Sequence, residues 1–208
     1  VVVTTGLLKA VPEVINQFAQ FWITGDMLVN DFGMYGKSSR DLLIPRVRYF
    51  TNDTWDIISA GRPLTGGTNG TPLMLRGKYS QGNIYVLSIP EDFSDLYELP
   101  QGVLNQLRAI MSRDLKVRIE APAKVSLFLY DNDTFIVESF LDEPVTVKVH
   151  TPKDVKKVND LVSGKSIETA APAQNPMMRR GPAGTETTTF SITLEPHTYR
   201  VFSFGKVK

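Results

Sequence analysis

The sequence predicts an α+β protein: an incomplete-looking α/β layer over residues 1–114, then an antiparallel β-sandwich over 115–208. Three observations predict it. The first third reads strand, helix, strand, the order of a layered α/β unit. From Leu115 onward, strand signals recur at short intervals with no helix between them. The composition, 42% hydrophobic and 22% charged, is that of a packed chain.

The elements follow in order. Val1 to Val3 are β-branched and read as a strand buried on both faces. A buried strand at residue 1 suggests a piece of a longer protein. Pro12 suits a first helical turn, and Val14, Ile15, Phe18, Phe21 and Trp22 share one helical face, with Trp22 a core residue. Thr24-Gly25-Asp26 stops that helix, and Met27–Phe32 reads as a second strand. Gly33–Asp41 is a polar loop. Val47 and Tyr49 alternate with arginines, and Trp55–Ala60 is a strand. Gly61–Pro72 is a connector by composition. A hairpin turns at Ser80-Gln81-Gly82-Asn83, with Gly82 free to take positive φ. A helix follows, with Val103, Leu104, Leu107 and Met111 on its apolar face and Arg108 and Arg113 outside it.

The boundary falls near Arg113-Asp114. Beyond it the predicted strands are Lys116–Glu120, Val125–Tyr130, Phe135–Leu141, Val145–His150, Thr188–Leu194 and Tyr199–Phe204. Thr169 to Glu186, rich in Ala, Pro and Gly, reads as a mobile loop.

Several functions are disfavoured at once. Net charge is +1 with acids and bases interspersed, which argues against a nucleic-acid surface. There are no cysteines, so disulfides, thiolate metal sites and a cysteine nucleophile are absent together. No apolar run reaches the roughly 20 residues of a membrane span, and no signal layout opens the chain.

Candidate chemistry is sparse, and neither catalytic nor metal residues nor cofactors are assigned. Asp131-Asn132-Asp133 sits between two strands, where Asp and Asn suit a tight turn. A calcium loop would need more oxygen ligands and its glycine. Glu138, Asp142, Glu143, Asp92, Asp95 and Glu98 are available as paired carboxylates, but solvated side chains are the expected reading. Asp31–Ser39 imitates a phosphate loop, yet the first required Gly falls on Asp31, whose charge repels phosphate. His150 and His197 lie on separate strand ends. Trp55, Tyr79 and Tyr97 would stack on sugar rings if exposed; Trp55 and Tyr97 are the carbohydrate-binding candidates.

"VVVTTGLLKAV" resembles the middle of glutamine-amidotransferase-like, flavodoxin-like domains, which accompany glycoside hydrolases, as in the trimerisation domain of some β-galactosidases. "IPRVRYFTNDTWDIISA" and "VSLFLYDNDTFIVESFLDEPVTVKV" look like the tail of large glycoside hydrolases. "VNDLVSGKSIE" with "FSITLEPHTYRVFSF" resembles the small β-sandwich that ends many of them, where a D-L-x-x-G turn precedes the last strands. The amidotransferase elbow carries a Cys; the matching Thr4-Thr5-Gly6-Leu7-Leu8 has none, which excludes glutamine hydrolysis by that route. The resemblance implies a non-catalytic accessory region, a pseudoenzyme in its first part, attached to a catalytic glycosidase domain. Its implied partners are that domain, a second copy through an open sheet edge, or a polysaccharide. The alternative is a carbohydrate-binding module. A secreted or periplasmic location follows if the parent degrades polysaccharide.

Overall fold

A computed structural model describes residues 1–15, 21–49, 55–64, 70–89, 93–170 and 187–204. The chain divides into two compact units, Val1–Val103 and Leu104–Lys208. The division falls inside a helix rather than at Arg113-Asp114.

In the first unit, β1 (Val2–Thr4) runs into α1 (Thr5–Ala10) and α2 (Pro12–Ile15). The Thr4 hydroxyl caps α1 by accepting the Leu7 N–H at 3.1 Å. Then come β2 (Phe21–Asp31), a 3₁₀ turn (Gly33–Tyr35), β3 (Lys37–Tyr49), β4 (Trp55–Pro63), β5 (Thr71–Tyr79) and β6 (Gly82–Leu87). A second 3₁₀ segment (Phe93–Glu98) leads to α3 (Gln101–Met111).

These strands form one sheet in the order β1-β6-β5-β4-β2-β3. β1 pairs with β6 in parallel, and the other neighbours are antiparallel. This overturns the expected flavodoxin-like layer. A doubly wound sheet needs a helical crossover between parallel strands; here β5 joins β6 by a tight hairpin, and α1 and α2 are too short to cover a sheet face. Register shifts at Ile23/Gly25 and Val29/Asp31 in β2, and at Ile57/Ser59 in β4, curl the sheet. The fold is β-rich rather than α+β.

Particular elements show why. Phe21 and Trp22, expected on a helix, open β2. Phe21 is buried, whereas Trp22 is 49% exposed rather than in a core. Aromatic residues suit strands as well as helices, and Phe18, which completed the helical pattern, lies outside the described residues. Of the opening valines only Val3 is buried; Val1 and Val2 are exposed. The supposed connector is entered from both sides by β4 and β5, and its residues 65–69 lie outside the described set. The left-handed residue of the β5–β6 turn is Ser80, φ 51°, not Gly82. On α3, Met111 is exposed, while Arg108 is drawn in.

The second unit is a sandwich. A three-stranded sheet, β13-β10-β7, is built from β7 (Arg118–Glu120), β10 (Val145–Pro152) and β13 (Thr187–Leu194). A five-stranded sheet, β12-β11-β14-β9-β8, is built from β8 (Val125–Leu129), β9 (Thr134–Ser139), β11 (Lys157–Asp160), β12 (Ser166–Glu168) and β14 (Tyr199–Ser203). All their pairings are antiparallel. Alternate residues of both sheets meet in one core, with Val147 and Val149 from the first and Phe135, Val137 and Phe202 from the second. Phe135 and Phe202 stack with centroids 5.2 Å apart. This half is the sandwich that the strand spacing predicts. The loop after Ala170 falls mostly on residues 171–186, outside the described residues.

Candidate functional site

The acidic knot turns the chain. Asp133 takes φ 60°, the left-handed conformation that Asp tolerates. The Asn132 side-chain oxygen accepts the Thr134 N–H at 3.2 Å, and Tyr130 N–H bonds to the Thr134 carbonyl at 3.0 Å. Lys116 Nζ meets Asp133 Oδ1 at 2.6 Å. The Asn132 side chain and the backbone thus close the β8–β9 hairpin, and the Asp133 carboxylate holds Lys116 beside it.

Asp95, Glu98, Asp142 and Glu120 have local partners too, whereas Glu138 and Glu143 have none among the described residues. Asp95 pairs with Arg40, and Glu98 accepts the Ser39 hydroxyl. Asp142 Oδ1 lies 2.9 Å from His197 Nε2 at an exposed turn. Asp92 lies outside the described residues. Glu120 Oε1 lies 2.7 Å from His150 Nε2 and 3.6 Å from Lys148 Nζ. The bond to His150 holds the Glu120 carboxyl below its ordinary value, against burial, and Lys148 adds to the shift.

Asp160 is the most deeply placed acid of the sandwich, 2% exposed. Its Oδ1 accepts the Val162 and Ser163 N–H groups at 2.9 and 3.1 Å, and its Oδ2 takes Arg200 Nε at 2.9 Å. Burial acts to raise its pKa, but the Arg200 bond and the two amides together hold it low. Gly164, φ 70°, completes the turn. The D-L-x-x-G segment is therefore a built corner between β11 and β12, and its acid is structural.

The phosphate-loop mimic is a strand connection. Asp31 Oδ1 accepts the Gly33 N–H at 2.7 Å, and a strand rather than a helix follows Lys37.

The two carbohydrate candidates separate. Trp55 is 7% exposed, packed on Phe21 with centroids 5.5 Å apart. Its ring lies over Gly77, where a Cβ would come within 3.0 Å of it. Tyr97 is 58% exposed on its 3₁₀ segment, beside the Arg40–Asp95 pair. The structure does not bring the two together in one cluster: one is core, the other surface. Tyr79 is exposed at a hairpin end.

A further aromatic group emerges on the outer face of the five-stranded sheet. Phe128 (43% exposed), Tyr130 (54%) and Tyr199 (58%) stand there with Ile136, Val201 and Glu138. The register places Phe128 beside Ile136 and Val201 in one row, and Ser126 beside Glu138 and Tyr199 in the next. The signal was in the sequence as the even-numbered half of the alternation in β8 and β9.

The fold defines a class: a β-rich chain ending in a sandwich, with several of its described acids engaged in turns and ion pairs. Residues 116–204 match the family model described as "Probable glycosyl hydrolase, C-terminal domain". The match covers the residues of the sandwich, less than half of the chain. Among solved structures, the chain is similar to the β-galactosidase from Bacillus circulans sp. alkalophilus, with 16% identity and a TM-score of 0.37. That match covers 91% of this chain and 25% of the β-galactosidase chain, so the chain spans about a quarter of that protein's length. No curated protein matches the chain. The family match does not reach the first part, so the amidotransferase-like and pseudoenzyme readings of it are unsupported, and the strand pairing overturns the flavodoxin-like layer.

Proposed function

We propose that this chain is the non-catalytic C-terminal region of a glycoside hydrolase, supporting the catalytic domain or the association of subunits. The family match over residues 116–204 carries the reading. The engagement of its acids supports it: Asp160, Glu120, Asp133 and Asp142 each hold a cation or a histidine at a turn or across strands. A carboxylate committed in this way is poorly placed to protonate a glycosidic oxygen or to attack an anomeric carbon.

The test uses chromogenic glycosides. The isolated chain should give no turnover, and the parent protein should melt at lower temperature once this region is deleted. Turnover by the isolated chain that disappears in Glu138→Gln or Asp142→Asn would reverse the assignment and make the region an enzyme.

A further inference from the structure

We propose that the outer face of the five-stranded sheet binds a neutral oligosaccharide through Phe128, Tyr130 and Tyr199, with Glu138 as the hydrogen-bond acceptor between the rings. The register carries the geometry. Strands about 4.8 Å apart and a rise of about 3.4 Å per residue place Phe128 roughly 7 Å from Tyr130 and roughly 12 Å from Tyr199. Phe128 and Tyr130 therefore follow the line of β8 and Tyr199 lies two strands away on β14, with Glu138 and the low side chains of Ile136 and Val201 between.

The chemistry selects the occupant. A sugar ring offers C–H faces to aromatic rings and hydroxyls to acceptors. Each of the three rings is about half exposed, and among the described residues no hydrogen bond occupies the hydroxyls of Tyr130 and Tyr199. Glu138, in the row of Tyr199, holds no ion pair or hydrogen bond among the described residues. Burying this unpaired carboxylate under an apolar protein surface would be costly. Sugar hydroxyls satisfy it as donors while remaining partly solvated. The one negative charge, with no cation in these rows, disfavours anionic partners and suits an uncharged donor-rich ligand. An apolar patch crossed by such a row marks an interaction site on an otherwise ordinary surface.

The proposal does not depend on the accessory reading, because it is measured on this chain alone. The probes are β-linked gluco-, xylo-, manno- and galacto-oligosaccharides, followed by titration calorimetry and by NMR of the aromatic signals. Saturable binding of at least one probe is expected, with shifts confined to Phe128, Tyr130 and Tyr199. Phe128→Ala and Tyr199→Ala should each weaken binding about tenfold, and Glu138→Gln should weaken it less. These side chains are exposed, so the melting temperature should hold, and Met111→Ala should bind as the parent does. The proposal is overturned by no saturable heat with any probe, or by unchanged binding in the two ring variants. It is equally overturned if binding fails in Tyr97→Ala while Tyr199→Ala retains it. Self-association of the chain that these ring variants abolish would assign the face to a second copy instead.

Discussion

Asp160 shows how much one side chain can organise. It caps a turn with one oxygen and anchors Arg200 with the other, and the guanidinium also lies 5.1 Å from the Phe202 ring centre. Asp160→Asn keeps the shape and removes the charge that Arg200 faces. The expected loss is about 2–3 kcal/mol, less than for a fully buried pair because Arg200 reaches solvent. Asp160 and Glu120 both have folded pKa values below their ordinary ones. Each therefore adds stability that is whole above the unfolded carboxyl range near ~4 and is lost as pH falls through the folded value. Thermal melts should be flat between neutral and mildly acidic pH and then fall, with a shallower acid fall in Asp160→Asn; identical slopes would refute the assignment. Trp55 is the counterpart in the first unit. Gly77→Ala, which crowds its ring, should cost about 1–3 kcal/mol by overpacking. Trp55→Ala should cost about 3–5 kcal/mol and leave oligosaccharide binding by the sandwich intact. Legibility at this scale was uneven: the residue type of Trp55 fits a sugar platform and a core equally, and only its packing on Phe21 and Gly77 separates them.

Among the elements, β3 is the edge of the first sheet and the longest strand in it. A long edge invites pairing with another chain. Here Pro45 withholds a backbone donor, and Arg46 and Arg48 are exposed along it. Replacing Arg46 and Arg48 together by Thr should increase light scattering on concentration, with little change in melting temperature. The β8–β9 hairpin was legible beforehand, since Asp131-Asn132-Asp133 interrupts two alternating runs and Asp tolerates φ 60° at its third position. The β2–β3 hairpin was not. Its turn is the 3₁₀ segment Gly33–Tyr35, and its strands carry bulges that blur the alternation by which a strand is recognised.

For the whole chain, the useful question is where the sandwich begins. Its core draws on residues from Val117 to Phe202. Yet Asn105 Oδ1 accepts the Ala121 N–H at 3.0 Å, and Arg108 donates to the carbonyls of Ala121 and Pro122, the latter at 2.9 Å. Burial holds the Arg108 pKa below its usual value. We propose that the folding unit starts within α3, earlier than the composition change at Arg113-Asp114. A fragment of residues 104–208 should be about 1–3 kcal/mol more stable to urea than one of 115–208. Equal stability would place the boundary back at the change in composition.

The amino-acid order alone determined the sandwich, because a period of two with turn residues between runs leaves few other ways to bury alternate side chains. It also settled the turn at Asp131-Asn132-Asp133. The tertiary structure decided the rest: that the first sheet is antiparallel apart from its β1–β6 pair, that Trp55 is buried and Tyr97 exposed, and that Phe128, Tyr130 and Tyr199 share one open face. Strand partners are set by contacts between residues distant in the chain, and local periodicity holds no record of which strands lie side by side.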